Sequence, residues 1–456
     1  MIKLSFIAIF ITAIFTILSF VQSSKRSRVW IFSPASLLSV GLFVMYVLRP
    51  VYIVRKNEWS VEFINKNTLY TSESEFFVAS ILSMVFVLVV LFPFILESFR
   101  NKKVENSDIN IRYLGNAILP GNVRLLCYVA FFALALAFFS IIILRVGLIN
   151  YYNSLGLRHV LLKDVFGPFA FYFMTLFFFL HSLLLVKVYN SLVLYRRIKS
   201  EDVFFILLMI VLYASLGGRS NILFLLINVF FIFLYINGSP RKDLKIKLVL
   251  FFSFIFLFFG VLYRVVLRDV SFAENSNKNI SDLLLEKTIG IFDFIVDGGD
   301  FVQFDALMTV LSRPNFDLLY GKTILSCFTS FIPRAIWEGK PRGGMTEFTQ
   351  TFFPEHYYHS LGGEYVVSWF VELILNFGYF GAIFVSLICG WFVYKVEKMT
   401  RARLLPAIWI LVISILSVRF FNIAKADLFN NFMVFMQLAF IPLTFGVLFY
   451  LSRRLK

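Results

Sequence analysis

The sequence predicts an all-α polytopic membrane protein of about 11 transmembrane helices, and three observations carry that expectation. Apolar residues make up 59% of the 456, and mean hydropathy is +0.83. They fall in continuous runs, many of 18–25 residues, where about 20 suffice to cross the hydrocarbon core as a helix. The runs do not alternate, which excludes a transmembrane β-barrel. Basic residues cluster in the short segments between runs, the signature of cytoplasmic loops.

Taken in order, the runs place spans at 3–22, 29–48, 76–98, 125–146, 167–188, 203–217, 219–236, 248–266, 373–395, 404–420 and 428–450. Lys25-Arg26-Ser27-Arg28 separates the first two, and the Arg100–Arg124 segment follows the third. Arg196–Lys199, Arg241–Lys247, Lys395–Arg403 and the Arg453-Arg454-Leu455-Lys456 tail are the other basic segments. All fall on one face if the count holds, which puts the N-terminus outside and the C-terminus inside. The apolar stretch Val203–Ile236 is too long for one span, and Gly217-Gly218-Arg219-Ser220 interrupts it near its middle. Two short helices meeting at Gly-Gly form a hairpin there, with Arg219 at the outer face. No cleavable signal peptide precedes the first basic cluster.

The linear organisation is three-part: a bundle of eight spans over 1–266, a large extracytoplasmic loop over 267–371, and three closing spans over 372–456. The loop's charges are nearly balanced, unlike the inner loops. Its stretches Ile280–Val296 and Val302–Leu311 show apolar residues at helical spacing suited to lie on the membrane surface. Arg419 to Asp427 reads as a last short outer turn with Arg419, Lys425 and Asp427.

The net charge of +16 is spread over short loops, so orientation accounts for it and nucleic acid is not an expected partner. Cys127, Cys327 and Cys389 are scattered and suggest neither a disulfide framework nor a zinc site. P-loop, GxGxxG, GxSxG and kinase signatures are absent. The outer half instead concentrates cations: Arg158, Arg219, Arg264 and Arg268 (one helical turn apart), Arg334, Lys340 and Arg342. A guanidinium pair on one helix face suits two-point recognition of a pyrophosphate. The alternative is that basic side chains snorkel to lipid headgroups.

Two prolines and three glycines in Phe331–Gly344 rule out a continuous helix and make a shaped loop. Beyond it stand His356 and His359, then Glu364 and Glu372. His-x-x-His without further ligands is a poor metal site, so no metal is expected. These four residues are the candidate general bases, with His359 and Glu372 foremost.

Gly217-Gly218-Arg219-Ser220-Asn221, Phe331-Ile-Pro-Arg-x-x-Trp-x-x-Lys-Pro341 and Glu372-Leu-Ile-Leu-Asn376-Phe377-Gly378-Tyr-Phe-Gly381 together resemble the motifs of Wzy-type O-antigen and capsule repeat-unit polymerases. The resemblance covers roughly residues 210–385. It departs at the last outer turn, where an arginine is expected and Lys425 stands. It implies a multi-pass enzyme of the bacterial cytoplasmic (inner) membrane, with its active site on the periplasmic face. Such an enzyme transfers a growing glycan from undecaprenyl pyrophosphate onto a lipid-linked repeat unit. Partners would be the undecaprenyl-pyrophosphate-linked oligosaccharide, membrane lipids and a chain-length-regulating membrane protein, and no cofactor is needed. Trp337, Tyr357, Tyr358 and Trp369 would stack on sugar faces. The alternatives are an O-antigen ligase-like transferase and a flippase or transporter of lipid-linked oligosaccharide.

Overall fold

The computed structural model describes residues 1–27, 29–56, 60–63, 67–70, 72–99, 122–147, 165, 170–216, 219–238, 302–329, 332, 336–359, 364–401 and 405–454. It is helical apart from one small antiparallel hairpin, β1 Ser60–Phe63 and β2 Asn67–Tyr70, with Ser60 opposite Tyr70. The first helices are α1 Ile2–Arg26, α2 Pro34–Arg55, α3 Glu73–Phe99 and α4 Asn122–Arg145. Then come α5 Ala170–Tyr195, α6 Ser200–Ser215, α7 Arg219–Asn237, α8 Gln303–Ser312 and α9 Lys322–Thr329. The last are α10 Gly344–Phe352, α11 Pro354–His359, α12 Trp369–Arg401, α13 Ala407–Ile423 and α14 Leu428–Arg454.

Among the described residues, seven helices are long and apolar enough to cross a membrane: α1 to α5, α7 and α12. Helix α13 and the Leu428–Thr444 part of α14 are apolar but shorter. The expected span at 248–266 lies outside the described residues, as does Ile280–Val296. The chain forms two compact units. One comprises 1–108, 296–402 and 416–435, and the other 109–295, 403–415 and 436–456.

In the first unit α1 packs on α2 and α3, and α3 packs on α8 and α12. Helix α1 is inside-out relative to a water-soluble helix. Its buried face is Ser5, Ala8, Ile9, Thr12, Thr16, Ser19 and Ser23, mostly small or polar, while Phe6, Phe10, Ile14 and Leu18 point outward. Small residues let helices approach in a membrane, where apolar side chains gain nothing by hiding from lipid. At one end of this unit Arg401 grips Glu97 at 2.7 and 2.8 Å, and Arg26 lies 3.6 Å from the same carboxylate. The basic ends of α1 and α12 therefore meet the end of α3, as a shared loop face requires.

Helix α12 is two helices. Gly378 has φ 68 and ψ −177, a conformation open to glycine and strained for other residues. Phe370 stacks on Phe86 of α3 at 4.0 Å between ring centroids, and Gly390 packs on Val90. A straight helix would separate residues 370 and 390 by about 30 Å, whereas 86 and 90 are about 6 Å apart along α3. The chain therefore reverses at Gly378. Residues 369–377 form a buried re-entrant helix, and 379–401 carry the membrane-crossing length. The expected span at 373–395 is corrected accordingly.

Two further expectations change. Val302–Leu311 does form a helix, but not a surface one: residues 303–310 are all buried. Its polar members are accommodated from within, since Asp305 receives two hydrogen bonds from Arg49, at 2.8 and 3.1 Å. Gln303 Nε2 donates to the Lys425 carbonyl at 2.9 Å. The last turn is also shorter than expected, because Arg419 remains inside α13 and only 424–427 connect α13 to α14.

Arg49 and Asp305 are both buried, so removing one partner breaks a buried ion pair. Asp305→Ala is expected to cost about 3–5 kcal/mol. The double variant Arg49→Met/Asp305→Leu should recover most of it. Thermal unfolding of the purified proteins in detergent checks this, and equal melting of the single and double variants would contradict it.

The second unit packs α4, α5, α6 and α7 together. Its interior carries polar groups within apolar helices. Lys187 bonds Asp202, and His181 Nδ1 lies 2.9 Å from the Tyr213 hydroxyl with Asn228 Nδ2 3.4 Å from Nε2. The break before α7 at residues 217 and 218 lies outside the described residues.

Candidate functional site

The site is built in the first unit, where three stretches far apart in sequence converge on two buried carboxyl groups, Glu372 and Asp427. Asp427 ends the 424–427 turn and caps α14: its Oδ1 accepts from the Asn430 backbone N at 3.1 Å and from Asn430 Nδ2 at 2.8 Å. Its Oδ2 accepts from Met345 N in the first turn of α10 at 3.0 Å. One carboxylate thus serves two helix N-termini, where orphan N–H groups and the helix dipole favour an anion. Burial nevertheless pushes its pKa up. Glu372, from the re-entrant part of α12, adds Oε2 as acceptor for Leu428 N at 2.6 Å. No described residue meets hydrogen-bond geometry at its Oε1, although the Thr323 side chain lies beside the carboxyl.

The sequence permits this approach because Gly343-Gly344 opens α10. A Cβ on Gly344 would lie 2.7 Å from Glu372 Cδ, and one on Gly343 would lie 3.1 Å from Asp427 Oδ2. Asn376 extends the network by donating to Thr323 Oγ1 at 2.7 Å.

The helix ends are therefore occupied by the chain's own acids. Glu372, expected as a base at the membrane entry, is wholly buried, with its Oε2 taken by Leu428 N. Sequence reasoning passed over Asp427. The available signal was Asp427 three residues before Asn430 at the head of an apolar run, an N-cap pattern.

Around this foundation lies a more open face. His356 of α11 is partly exposed and stacks on Tyr365 at 4.3 Å, with its pKa lowered by burial. The Arg342 guanidinium lies 6.0 Å from the Tyr357 ring centroid, so an arginine sits beside the histidine-bearing helix. Tyr358 is exposed, and Glu364 accepts a hydrogen bond from the Thr346 hydroxyl. His359 ends α11, but its side chain lies outside the described residues.

The expected cations divide. Lys340 is buried and donates to the Ile332 carbonyl at 2.9 Å, which shapes the proline-glycine loop from inside. Arg158, Arg264, Arg268 and Arg334 lie outside the described residues, as does the side chain of Arg219, whose backbone begins α7. Of the expected aromatic platforms, Trp337 and Tyr358 are exposed, but Trp369 is buried against Phe86 and cannot face a sugar. Among the described residues no group of three or more His, Cys, Asp or Glu side chains is placed to hold a metal ion.

No family model matches the chain, nor does any curated protein or solved structure.

Proposed function

We propose that this membrane protein is a glycosyl polymerase, moving a growing glycan from undecaprenyl pyrophosphate onto a lipid-linked repeat unit. In this reading it has eleven spans, lies in the bacterial cytoplasmic membrane, and works on the outer face of that membrane. The observation that carries the reading is Arg342 beside the helix of His356 and His359, with Gly343-Gly344 seating that loop on Glu372 and Asp427. Glu372 belongs to one of the stretches that resemble the polymerase motifs, and Arg342 to Gly344 follow directly on another.

In the reaction, the bond between the donor's anomeric carbon and its pyrophosphate oxygen breaks as the acceptor hydroxyl attacks that carbon. The leaving pyrophosphate carries the charge away, and Arg342 with Arg334 is the proposed pair that stabilises it. The acceptor proton passes to His359 or His356. Lys340 and the two buried carboxyl groups hold the loop in place.

Burial keeps the His356 imidazole neutral, and so able to accept a proton, to a lower pH than an ordinary histidine. If it is the base, activity falls as pH drops through a pKa below about 6.5, and His356→Gln removes that limb from the kcat/KM profile. An unchanged limb in His356→Gln assigns the base elsewhere.

The re-entrant hairpin at Gly378 also favours a second reading, transport of lipid-linked glycan, because broken helices recur in transporters. A strain lacking the protein separates the two. Single repeat units on the outer glycan carrier are the expected result. Loss of all outer repeat units would instead indicate transport or an O-antigen ligase-like transfer, and an unchanged ladder of long chains would overturn all three.

A further inference from the structure

We propose that α9, Lys322–Thr329, lies in the bilayer with its Leu325–Phe328 face against lipid acyl chains. The helix has the wrong polarity for water. It buries Thr323, Ser326 and Cys327 toward the protein, while Leu325 is 49% and Phe328 59% exposed. The same inversion, with small and polar residues inward and large apolar residues outward, marks α1, a membrane-spanning candidate. A helix of a water-facing loop buries its apolar side chains and exposes its polar ones.

The position of α9 names its occupant. The reversal at Gly378 frees the carbonyls of the preceding turn, and the chain entering α9 takes them: Leu319 N donates to the Leu375 carbonyl at 2.9 Å and Tyr320 N to the Asn376 carbonyl at 3.1 Å. These carbonyls lie four to five residues before Phe380, which is 92% exposed and begins the outward stripe Phe380, Phe384 and Ile388 of the crossing helix. Backbone bonds thus fasten the start of α9 beside the turn from which that exposed apolar stripe runs. Lys322, half-exposed, ion-pairs with Glu347 at 3.2 Å on the polar side. The inference needs only the membrane character of the chain and is independent of the enzymatic proposal.

The test places single nitroxide labels by Leu325→Cys and Phe328→Cys in full-length protein carrying Cys127→Ala, Cys327→Ala and Cys389→Ala. The protein is reconstituted in phosphatidylethanolamine–phosphatidylglycerol vesicles. Relaxation by oxygen, which partitions into lipid, is compared with relaxation by a water-soluble nickel chelate. Phe384→Cys is the lipid reference and Asn315→Cys the water reference. Oxygen-to-nickel ratios at 325 and 328 close to that at 384, and several-fold above that at 315, are expected. A ratio like that at 315 would place α9 in water. Exclusion of both reagents would mean a protein cover, such as a second copy of the chain, and would equally overturn the proposal. Wild-type protein provides the check without substitutions. A bilayer-confined carbene reagent should label residues 320–329 as strongly as 380–392, and labelling no stronger than at 313–317 refutes the assignment.

Discussion

Gly390→Val is expected to abolish stable folding of the first unit. A Cβ at this position would sit 2.4 Å from the Val90 carbonyl oxygen and 3.0 Å from Val90 C and Cα. The atoms it meets are backbone, so no rotamer change relieves the clash and α3 must move away from α12. Overpacking a core with flexible neighbours costs about 1–3 kcal/mol. Here both sides are main chain and valine adds two methyl groups, so the loss should exceed that range. Separation of α3 from α12 also pulls apart the Phe86–Phe370 stack and the Phe94–Tyr394 contact. Gly390→Ala is the graded version, destabilised but recoverable. Phe384→Ala, on the exposed side of the same helix, should melt near wild type. Size-exclusion profiles after heating in detergent measure all three, and a Gly390→Val variant that stays monodisperse at wild-type temperatures would refute the close helix contact.

The helical membrane character was legible because long apolar runs have few other uses. Expected spans at 3–22 and 76–98 meet helices Ile2–Arg26 and Glu73–Phe99, with basic residues marking the ends. The reversal at Gly378 was hidden, because Trp369–Arg401 is predominantly apolar on both sides of it and such a run does not reveal that its first nine residues fold back. Only the φ of Gly378 and the contacts of Phe370 and Gly390 with α3 do so. The 303–312 helix was visible from its spacing, but its burial was not. That depends on Arg49, whose pairing with Asp305 spans 256 positions and leaves no local trace.

The candidate site was legible in part for a related reason. Pro341-Arg342-Gly343-Gly344 announced a shaped loop, and its glycines do accept close neighbours. Which neighbours these are, Glu372 and Asp427, is a matter of tertiary contact. Glu372 was chosen for its chemistry, and its burial against Gly344 and Leu428 has no local trace in the sequence. The buried pair Lys187–Asp202 repeats the point in the second unit, since a lysine inside an apolar run reads as a cost until its partner in the next helix is seen.

Asp427→Ala should produce the second large loss, and it tests whether this residue organises the site. The substitution leaves Met345 N, Asn430 N and Asn430 Nδ2 without their acceptor, and it removes the N-cap of α14. An N-cap contributes about 0.5–2 kcal/mol, and a stranded donor costs up to about 1–3 kcal/mol where it is buried, less for these partly buried ones. Neighbouring terms do not add, so a loss of a few kcal/mol is the expectation, together with loosening of the Gly343–Phe352 segment. Asp427→Asn keeps the shape and one acceptor oxygen, but its amide nitrogen must face a donor, so it should fall between alanine and wild type. The pH dependence gives a separate signature. Burial raises the folded-state pKa of Asp427 above its unfolded value of about 3.9. The stability it contributes is therefore full below the unfolded pKa and diminishes as pH rises through the folded one. Asp427→Asn, which cannot ionise, should lose stability less steeply than wild type over that interval. Melting temperatures of the three proteins across a pH series, with hydrogen exchange at residues 343–352, measure both effects. If Asp427→Ala melts and exchanges like wild type, the loop bearing Arg342 is held by other contacts and Asp427 is not its anchor.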